Sequence, residues 1–322
     1  MAKHRDALPP KYRDALPQLD GDWFLTDGGI ETTLVFDKGI DLPQFASFPL
    51  LDDHAGREVL RDCVRPYLEL ARKHGSGIII ETLTWRASRD WAQKLGISSS
   101  DLERLTRMAV DEVVAFRKEY ESDGHPVVIS GCIGPRGDAY NPDRLLGIEE
   151  AERYHAEQIG VFRDTEVDLL SAMTLTHVEE AIGITRAAGA AGLPVVIGFT
   201  VETDGQLPNG QPLGEAIEAV DQDEGPSPVY YMINCAHPTH FASVLEPGAR
   251  WVERIHCVRA NASALSHAEL DESTEIDEGD PAELGEQHRE LCKVLTNVNI
   301  LGGCCGTDHR HVDAVFQACR SH

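Results

Sequence analysis

The sequence has 322 residues, 42% of them hydrophobic, with 29 Lys plus Arg against 54 Asp plus Glu, a formal charge of −25. That length supplies one large core or two ordinary ones. A surface so acidic repels phosphate backbones and anionic lipids, which argues against nucleic-acid and membrane-surface partners; it leaves plain solubility, as in a salty cytoplasm, or attraction of a cationic substrate.

The opening stretch, MAKHRDALPPKYRDALPQLD, is polar, so residues 1–20 read as an N-terminal extension rather than a signal peptide. No run approaches 18 apolar residues, and the expectation is a cytoplasmic protein without a membrane span. Eight β-rich runs follow, starting near Trp23, Gly77, Val127, Val167, Pro194, Val229, Trp251 and Val298. Most are continuously apolar rather than alternating, as parallel strands buried on both faces are. Helical periodicity fills the gaps over 56–73, 101–122, 149–164, 177–191, 213–221, 281–294 and 308–320. Ser100 and Glu103 read as a capping box for the second of these, and Pro66 predicts a kink or split in the first. The acidic segment 269–290 reads as a solvated loop and helix face. This alternation predicts an α/β fold, a (β/α)8 TIM barrel in a single domain spanning 1–322. The runner-up, a doubly wound sheet, lacks its G-x-G-x-x-G turn: the first strand leads into DGGIETTL.

A barrel gathers its chemistry at the C-terminal strand ends. In chain order these ends carry Asp27, Gly28 and Gly29; Glu81, Thr82 and Trp85; Cys132; Met173 and Thr174; Thr200 and Glu202; Asn234, Cys235 and His237; Asn261; and Cys304 with Cys305. Eight cysteines scattered through a long chain without an export signal read as thiols rather than a disulfide framework. Yet the barrel would bring Cys132, Cys235, Cys304 and Cys305 to one rim. Three thiolates with one vacant position make an open, reactive zinc site. The alternative is that cysteines at strand ends pack as small apolar residues. Cys132 reads as packed, His309 and His311 as helix-start residues, and His237 and His240 as caps of the helix after the sixth strand. Trp85, Trp91 and Tyr140 could cage a methylated cation or simply pack.

DGGIETTL, SGCIGPRGDAY, MINCAHPTHF, RANAS and LGGCCGTDHRHV resemble, in order, the motifs of the homocysteine S-methyltransferase family. That family includes the betaine- and S-methylmethionine-homocysteine enzymes and the homocysteine-binding module of cobalamin-dependent methionine synthase. The resemblance implies a barrel whose Zn2+ is held by Cys235, Cys304 and Cys305. It implies that Gly28 and Gly29 hold the amino-acid end of homocysteine through their backbone. It also exposes departures. Met173 stands where the family carries a glutamate for the substrate ammonium, and a thioether cannot pair with an ammonium. Glu81 and Glu202 are the candidate replacements. The second strand ends TLTW, with Leu83 and Trp85, where the family tends to read T-N-T-Y.

The expected function is therefore a zinc-dependent S-methyltransferase. A methyl group passes from a sulfonium or quaternary ammonium donor to a zinc-bound thiol, homocysteine giving methionine. The site would comprise Cys235, Cys304 and Cys305, with Asp27, Gly28, Gly29, Glu81, Thr82, Trp85, Met173, Glu202, Asn234 and Asn261 around the substrates. One alternative is the same chemistry on another thiol or selenol acceptor, because of Met173. Another is a non-catalytic zinc- or ligand-binding barrel. The expected partners are the thiol acceptor and a methylated cationic donor; a homo-oligomer stays open.

Overall fold

Eight parallel strands pair in sequence order and close on themselves: β1 (Phe24–Leu25), β2 (Gly77–Glu81), β3 (Val127–Ile133), β4 (Leu169–Leu175), β5 (Val195–Phe199), β6 (Tyr231–Asn234), β7 (Ile255–Ala260) and β8 (Ile300–Gly303), with β8 returning to β1. The structure, a computed structural model, describes residues 10–140 and 144–321; residues 1–9 of the expected N-terminal extension lie outside the described residues. The expected (β/α)8 barrel is thus the fold, and each of the eight expected strands forms.

Side-chain parity explains the continuous apolar runs. Phe24, Ile79, Val128, Leu169, Val196, Met232, Cys257 and Ile300 fill the barrel interior. Their neighbours, among them Leu25, Ile78, Ile80, Ile129, Leu170, Ile197, Ile233, Val258 and Leu301, pack outward in the larger core shared with the helices. Burying a Val, Leu or Ile side chain contributes about 1.5–3 kcal/mol, so both faces of each strand are selected for apolar residues. Leu16 and Tyr12 pack on these interior residues. The Tyr12 N–H donates to Asp168 Oδ1 at 2.8 Å and Arg13 Nη2 to the Val167 carbonyl at 2.7 Å, which ties the described part of the extension to β4.

The helices are α1 (Ile30–Thr32), α2 (His54–His74), α3 (Arg89–Lys94), α4 (Ser99–Tyr120), α5 (Ile148–Arg163), α6 (Val178–Ala191), α7 (Leu213–Asp221), α8 (Pro238–Phe241), α9 (His267–Glu272), α10 (Pro281–Cys292) and α11 (His309–Arg320). Two local expectations are corrected. Pro66 does not split its helix: α2 runs through it, with Cys63, Val64, Tyr67 and Leu68 buried on either side. Proline in a helix interior costs about 3 kcal/mol, which the burial of that apolar stripe offsets. Nor does Ser100 cap α4. Ser98 does, accepting from the Asp101 N–H at 3.1 Å, while Ser100 already lies inside the helix. The acidic segment also differs from a purely solvated face. Between α9 and α10 its residues Ser273, Glu275, Ile276 and Asp277 bend over the barrel mouth and line the cleft there. Among the described residues no helix is long and apolar enough to cross a membrane.

Candidate active site

The cleft at the C-terminal mouth has a volume of about 580 Å³. Asp27, Gly28, Gly29, Glu81, Thr82, Trp85, Met173, Asn234, Cys235, Cys304 and Cys305 all line it. Glu202 and Asn261 do not. The Asn261 N–H is spent on the Ala236 carbonyl at 3.2 Å, and Glu202 Oε1 meets His267 Nδ1 at 2.9 Å.

The Sγ atoms of Cys235, Cys304 and Cys305 lie within 4.8 Å of one another. Cys235 and Cys304 are 69 residues apart in the chain, and β7 brings them together. The Cys235 N–H donates to the Arg259 carbonyl at 3.1 Å and the Cys304 N–H to the Ala260 carbonyl at 2.8 Å. The two are joined by a disulfide, which corrects the expectation of free thiols; Cys305 is free. Four thiolates set tetrahedrally around zinc at about 2.3 Å lie roughly 3.8 Å apart, so three cysteines gathered within 4.8 Å of one another fit that ion in donor chemistry and in span once the disulfide is reduced.

Backbone strain collects beside the cluster. Cys235 has φ +54° and Thr174 φ +62°, both rare for residues with a Cβ. Asn234 holds the pair: its Oδ1 accepts from the Thr174 N–H at 3.0 Å and its Nδ2 donates to Thr174 Oγ1 at 2.8 Å. Thr174 Oγ1 in turn lies 3.7 Å from Cys235 Sγ. On the other side Tyr140 places its hydroxyl 3.7 Å from Cys305 Sγ. Its ring stacks on His267 with centroids 3.9 Å apart, and His267 Nε2 contacts the Cys235 carbonyl at 2.8 Å. Burial pushes the Cys305 thiol up, opposed by the Tyr140 hydrogen bond. Nothing in the sequence marks His267; only the fold carries α9 to the cluster.

Gly28 and Gly29 are required by close approach. A Cβ on Gly28 would sit 2.6 Å from Tyr67 Oη, and one on Gly29 would sit 2.6 Å from the Cys304 carbonyl. The Gly29 N–H donates to the Thr307 carbonyl at 2.9 Å. Both glycines therefore let the turn carrying Cys304 and Cys305 seat against the end of β1.

Deeper in the cleft the expected site residues Asp27 and Glu81 meet a buried arginine, Arg259, that the sequence did not mark out. The inward parity of β7 that points Cys257 into the barrel also points Arg259 there. Its Nη2 donates to Asp27 Oδ1, and its Nη1 stands 3.7 Å from Glu81 Oε1. Burial pushes Glu81 up to about 7, opposed by the Arg259 charge, and raises Asp27 as well. Glu31, half-buried and also raised by desolvation, accepts from Ser47 Oγ at 2.8 Å and lines the same cleft.

The aromatic residues line the cleft with part of their surface already covered. The Arg86 guanidinium lies 3.8 Å from the Trp91 centroid and 4.5 Å from that of Trp85, and Tyr140 is stacked on His267. Cys132 is buried and stands outside the three-thiol cluster. His237 caps α8 and His311 caps α11 through Asp308, whereas His240 Nε2 meets the Ala264 carbonyl at 3.0 Å.

A closed parallel barrel with three cysteines clustered at its mouth defines a narrow class of thiol-centred TIM barrels. The chain belongs to the homocysteine S-methyltransferase family, whose sequence profile matches residues 24–319. It is similar to betaine–homocysteine S-methyltransferase 1 of Rattus norvegicus, 23% identical over 279 residues that make up 81% of this chain and 64% of that protein. The Mus musculus protein of the same name is 28% identical over 160 residues, 49% of this chain and 36% of that one. The chain thus spans less than two thirds of the length of these relatives. Among solved structures it is similar to the Escherichia coli homocysteine methyltransferase MmuM. The oxidized form superposes with a TM-score of 0.73 at 19% identity, covering 93% of this chain and 99% of that one. The metallated form gives 0.69 at 18% identity, covering 91% and 95%. At such identities the likeness speaks for the fold.

Proposed function

We propose that this protein transfers a methyl group from a cationic sulfonium or quaternary ammonium donor to a thiol, with homocysteine as acceptor and methionine as product. The observation that carries the reading is the convergence of three cysteine sulfurs at the mouth of a cleft lined by carboxylates. Zinc held by Cys235, Cys304 and Cys305 would supply the positive charge that keeps an acceptor thiol deprotonated at neutral pH.

The chain's own groups do the rest. The Tyr140 hydroxyl and Thr174 Oγ1 flank the sulfurs and fix their direction. Glu202 holds His267, and His267 holds the Cys235 carbonyl, so partners outside the cluster restrain its geometry. Asp138, Asp271, Glu275 and Asp277 line the cleft's outer part and favour a cationic donor there. The acceptor thiolate attacks the donor's methyl carbon in line. The carbon–sulfur or carbon–nitrogen bond breaks, and its electron pair stays on the donor's sulfur or nitrogen, which loses its positive charge. Positioning and exclusion of water supply the catalysis, since no proton moves in this step.

Metal uptake requires the reduced chain, because a disulfide between Cys235 and Cys304 leaves one thiolate of the three. Reduced protein should bind one zinc per chain, and Cys304→Ser should lose zinc and methyl transfer together. Metal content by elemental analysis decides: full zinc stoichiometry in the variant sinks the ligand assignment. Met173 favours a second reading, since it lines the cleft and offers an ammonium no ion pair. In that reading the acceptor is a thiol or selenol without a free amine. A thermal-shift comparison separates the two, and homocysteine as the sole strong stabiliser refutes the second.

A further inference from the structure

We infer that Arg259 and Glu81 together form the subsite for a zwitterionic head group: the guanidinium takes the carboxylate of an α-amino acid and the Glu81 carboxylate takes its ammonium. The inference rests on reading the cleft as a thiol-acceptor site. It moves recognition of the ammonium from the end of β4, and of the carboxylate from the Gly28–Gly29 backbone, where the Gly29 N–H is spent on the Thr307 carbonyl, to the floor between β2 and β7.

Both side chains line the cleft, and each residue is 5% exposed. Arg259 is held from behind, with Nε on the Gly303 carbonyl at 3.2 Å and Nη2 on Asp27. Its remaining nitrogen, Nη1, is buried without a hydrogen-bond partner, and Glu81 Oε2 has none within hydrogen-bonding geometry, although the Ser130 and Ser171 hydroxyls stand close enough to favour the ionised carboxylate. Nη1 and Glu81 Oε1 are 3.7 Å apart, within ion-pair range but too far for a hydrogen bond. A buried ion pair left with an unused donor on one member and an unused acceptor on the other is costly, because each orphan loses its water without replacement. An α-amino acid head presents both complements on one carbon and fills both vacancies at once.

Charge argues against a lone carboxylate, and the two vacancies argue against a lone ammonium. Asp27, Glu81 and Arg259 sum to one negative charge when both carboxylates are ionised. A lone carboxylate would add a second, and a lone ammonium would leave Nη1 empty. Position agrees: Gly303, whose carbonyl anchors Arg259, precedes Cys304, and the Arg259 carbonyl receives the Cys235 N–H, so the subsite hangs from the same backbone as the thiol cluster. Met173 then has no ammonium to hold and serves as apolar wall beside the acceptor's carbon chain.

The test is calorimetric titration of reduced, zinc-loaded protein with four probes. These are homocysteine; 4-mercaptobutyrate, which lacks the amine; 3-aminopropane-1-thiol, which lacks the carboxylate; and 2-aminobutyrate, which lacks the sulfur. Each truncated thiol should bind wild type roughly tenfold to a hundredfold more weakly than homocysteine, the range for one hydrogen bond to a charged partner. Glu81→Gln should erase the preference over 4-mercaptobutyrate alone, and Arg259→Met the preference over 3-aminopropane-1-thiol alone. A purely structural pair would weaken all thiols alike, and that result, or intact discrimination in the folded variants, overturns the proposal. Arg259→Met strips Asp27 of its counter-ion, so Arg259→Lys is the second variant. Wild type also decides by itself: 3-aminopropane-1-thiol bound as well as homocysteine overturns the carboxylate half. If 2-aminobutyrate binds in an Arg259-dependent way while no thiol binds, the head-group subsite stands and the thiol-acceptor reading falls. If homocysteine binds with no dependence on Arg259 or Glu81, the reverse holds.

Discussion

Glu81 makes the cost of building this cleft measurable. Burial raises it to about 7 from an ordinary value of 4.5, so the folded chain holds that proton more tightly than the unfolded chain does. A group with a raised folded value destabilises the fold increasingly as pH rises from near the unfolded value through the folded one. The penalty is absent near pH 4.5 and complete above pH 7, and at 1.36 kcal/mol per pH unit it reaches at most about 3 kcal/mol. Glu81→Gln should therefore be more stable than wild type by roughly 1–3 kcal/mol at pH 8, with the gain shrinking toward pH 5. Urea melts of both proteins at the two pH values check this; a gain that does not change with pH would show that burial is not what Glu81 bears. The thiols were legible in the sequence because strand-end position is readable and cysteine is rare. Arg259 was not, because an arginine inside the run IHCVRA reads as an interruption until the parity of β7 is known. His267 and Glu31 were hidden for a different reason: Glu202 becomes a neighbour of His267 only in the closed barrel, and Ser47 a neighbour of Glu31 only through the path of the loop between β1 and α2.

The ends of β4 and β6 lean on each other more than on their own loops. Thr174 and Cys235 both hold left-handed backbone, a conformation that costs of order 1–3 kcal/mol for a residue with a Cβ. The two-point grip of Asn234 on Thr174 compensates. Asn234→Ala would leave the buried Thr174 N–H unpartnered and take from its hydroxyl the one amide donor it accepts from, and should lower stability by roughly 2–4 kcal/mol, read as a shift of the urea midpoint. It should also slacken the thiol cluster, because Cys235 follows Asn234 directly; a loss below about 1 kcal/mol would mean that the turn holds without the asparagine. Strands and most helices could be placed from periodicity, since burial on one stripe or on both faces leaves a local signature. The caps and loop paths could not. Any of the serines at 98–100 suits an N-cap, and only packing of α4 selects Ser98. The course of residues 273–277 over the mouth depends on where α9 and α10 dock, so their acidic composition suggested solvent and gave no hint of the cleft wall.

Across the whole molecule the same charge acts in two opposed ways. A net −25 on 322 residues repels itself, and this repulsion is strongest in the compact state. Raising KCl from about 0.1 M to about 1 M shortens the screening length from roughly 10 Å to about 3 Å, so the melting temperature should rise over that interval. Screening also removes the attraction that Asp138, Asp271, Glu275 and Asp277 exert at the mouth. The KM for a donor with a net positive charge, such as S-methylmethionine, should therefore climb several-fold as the fold becomes more stable. A donor with no net charge, such as betaine, lacks that long-range pull and should show a much smaller rise. The comparison separates steering from stability within one set of buffers: parallel rises for the two donors would assign the acidic surface to solubility alone, and a rise confined to the cationic donor would assign the acidic mouth to substrate capture.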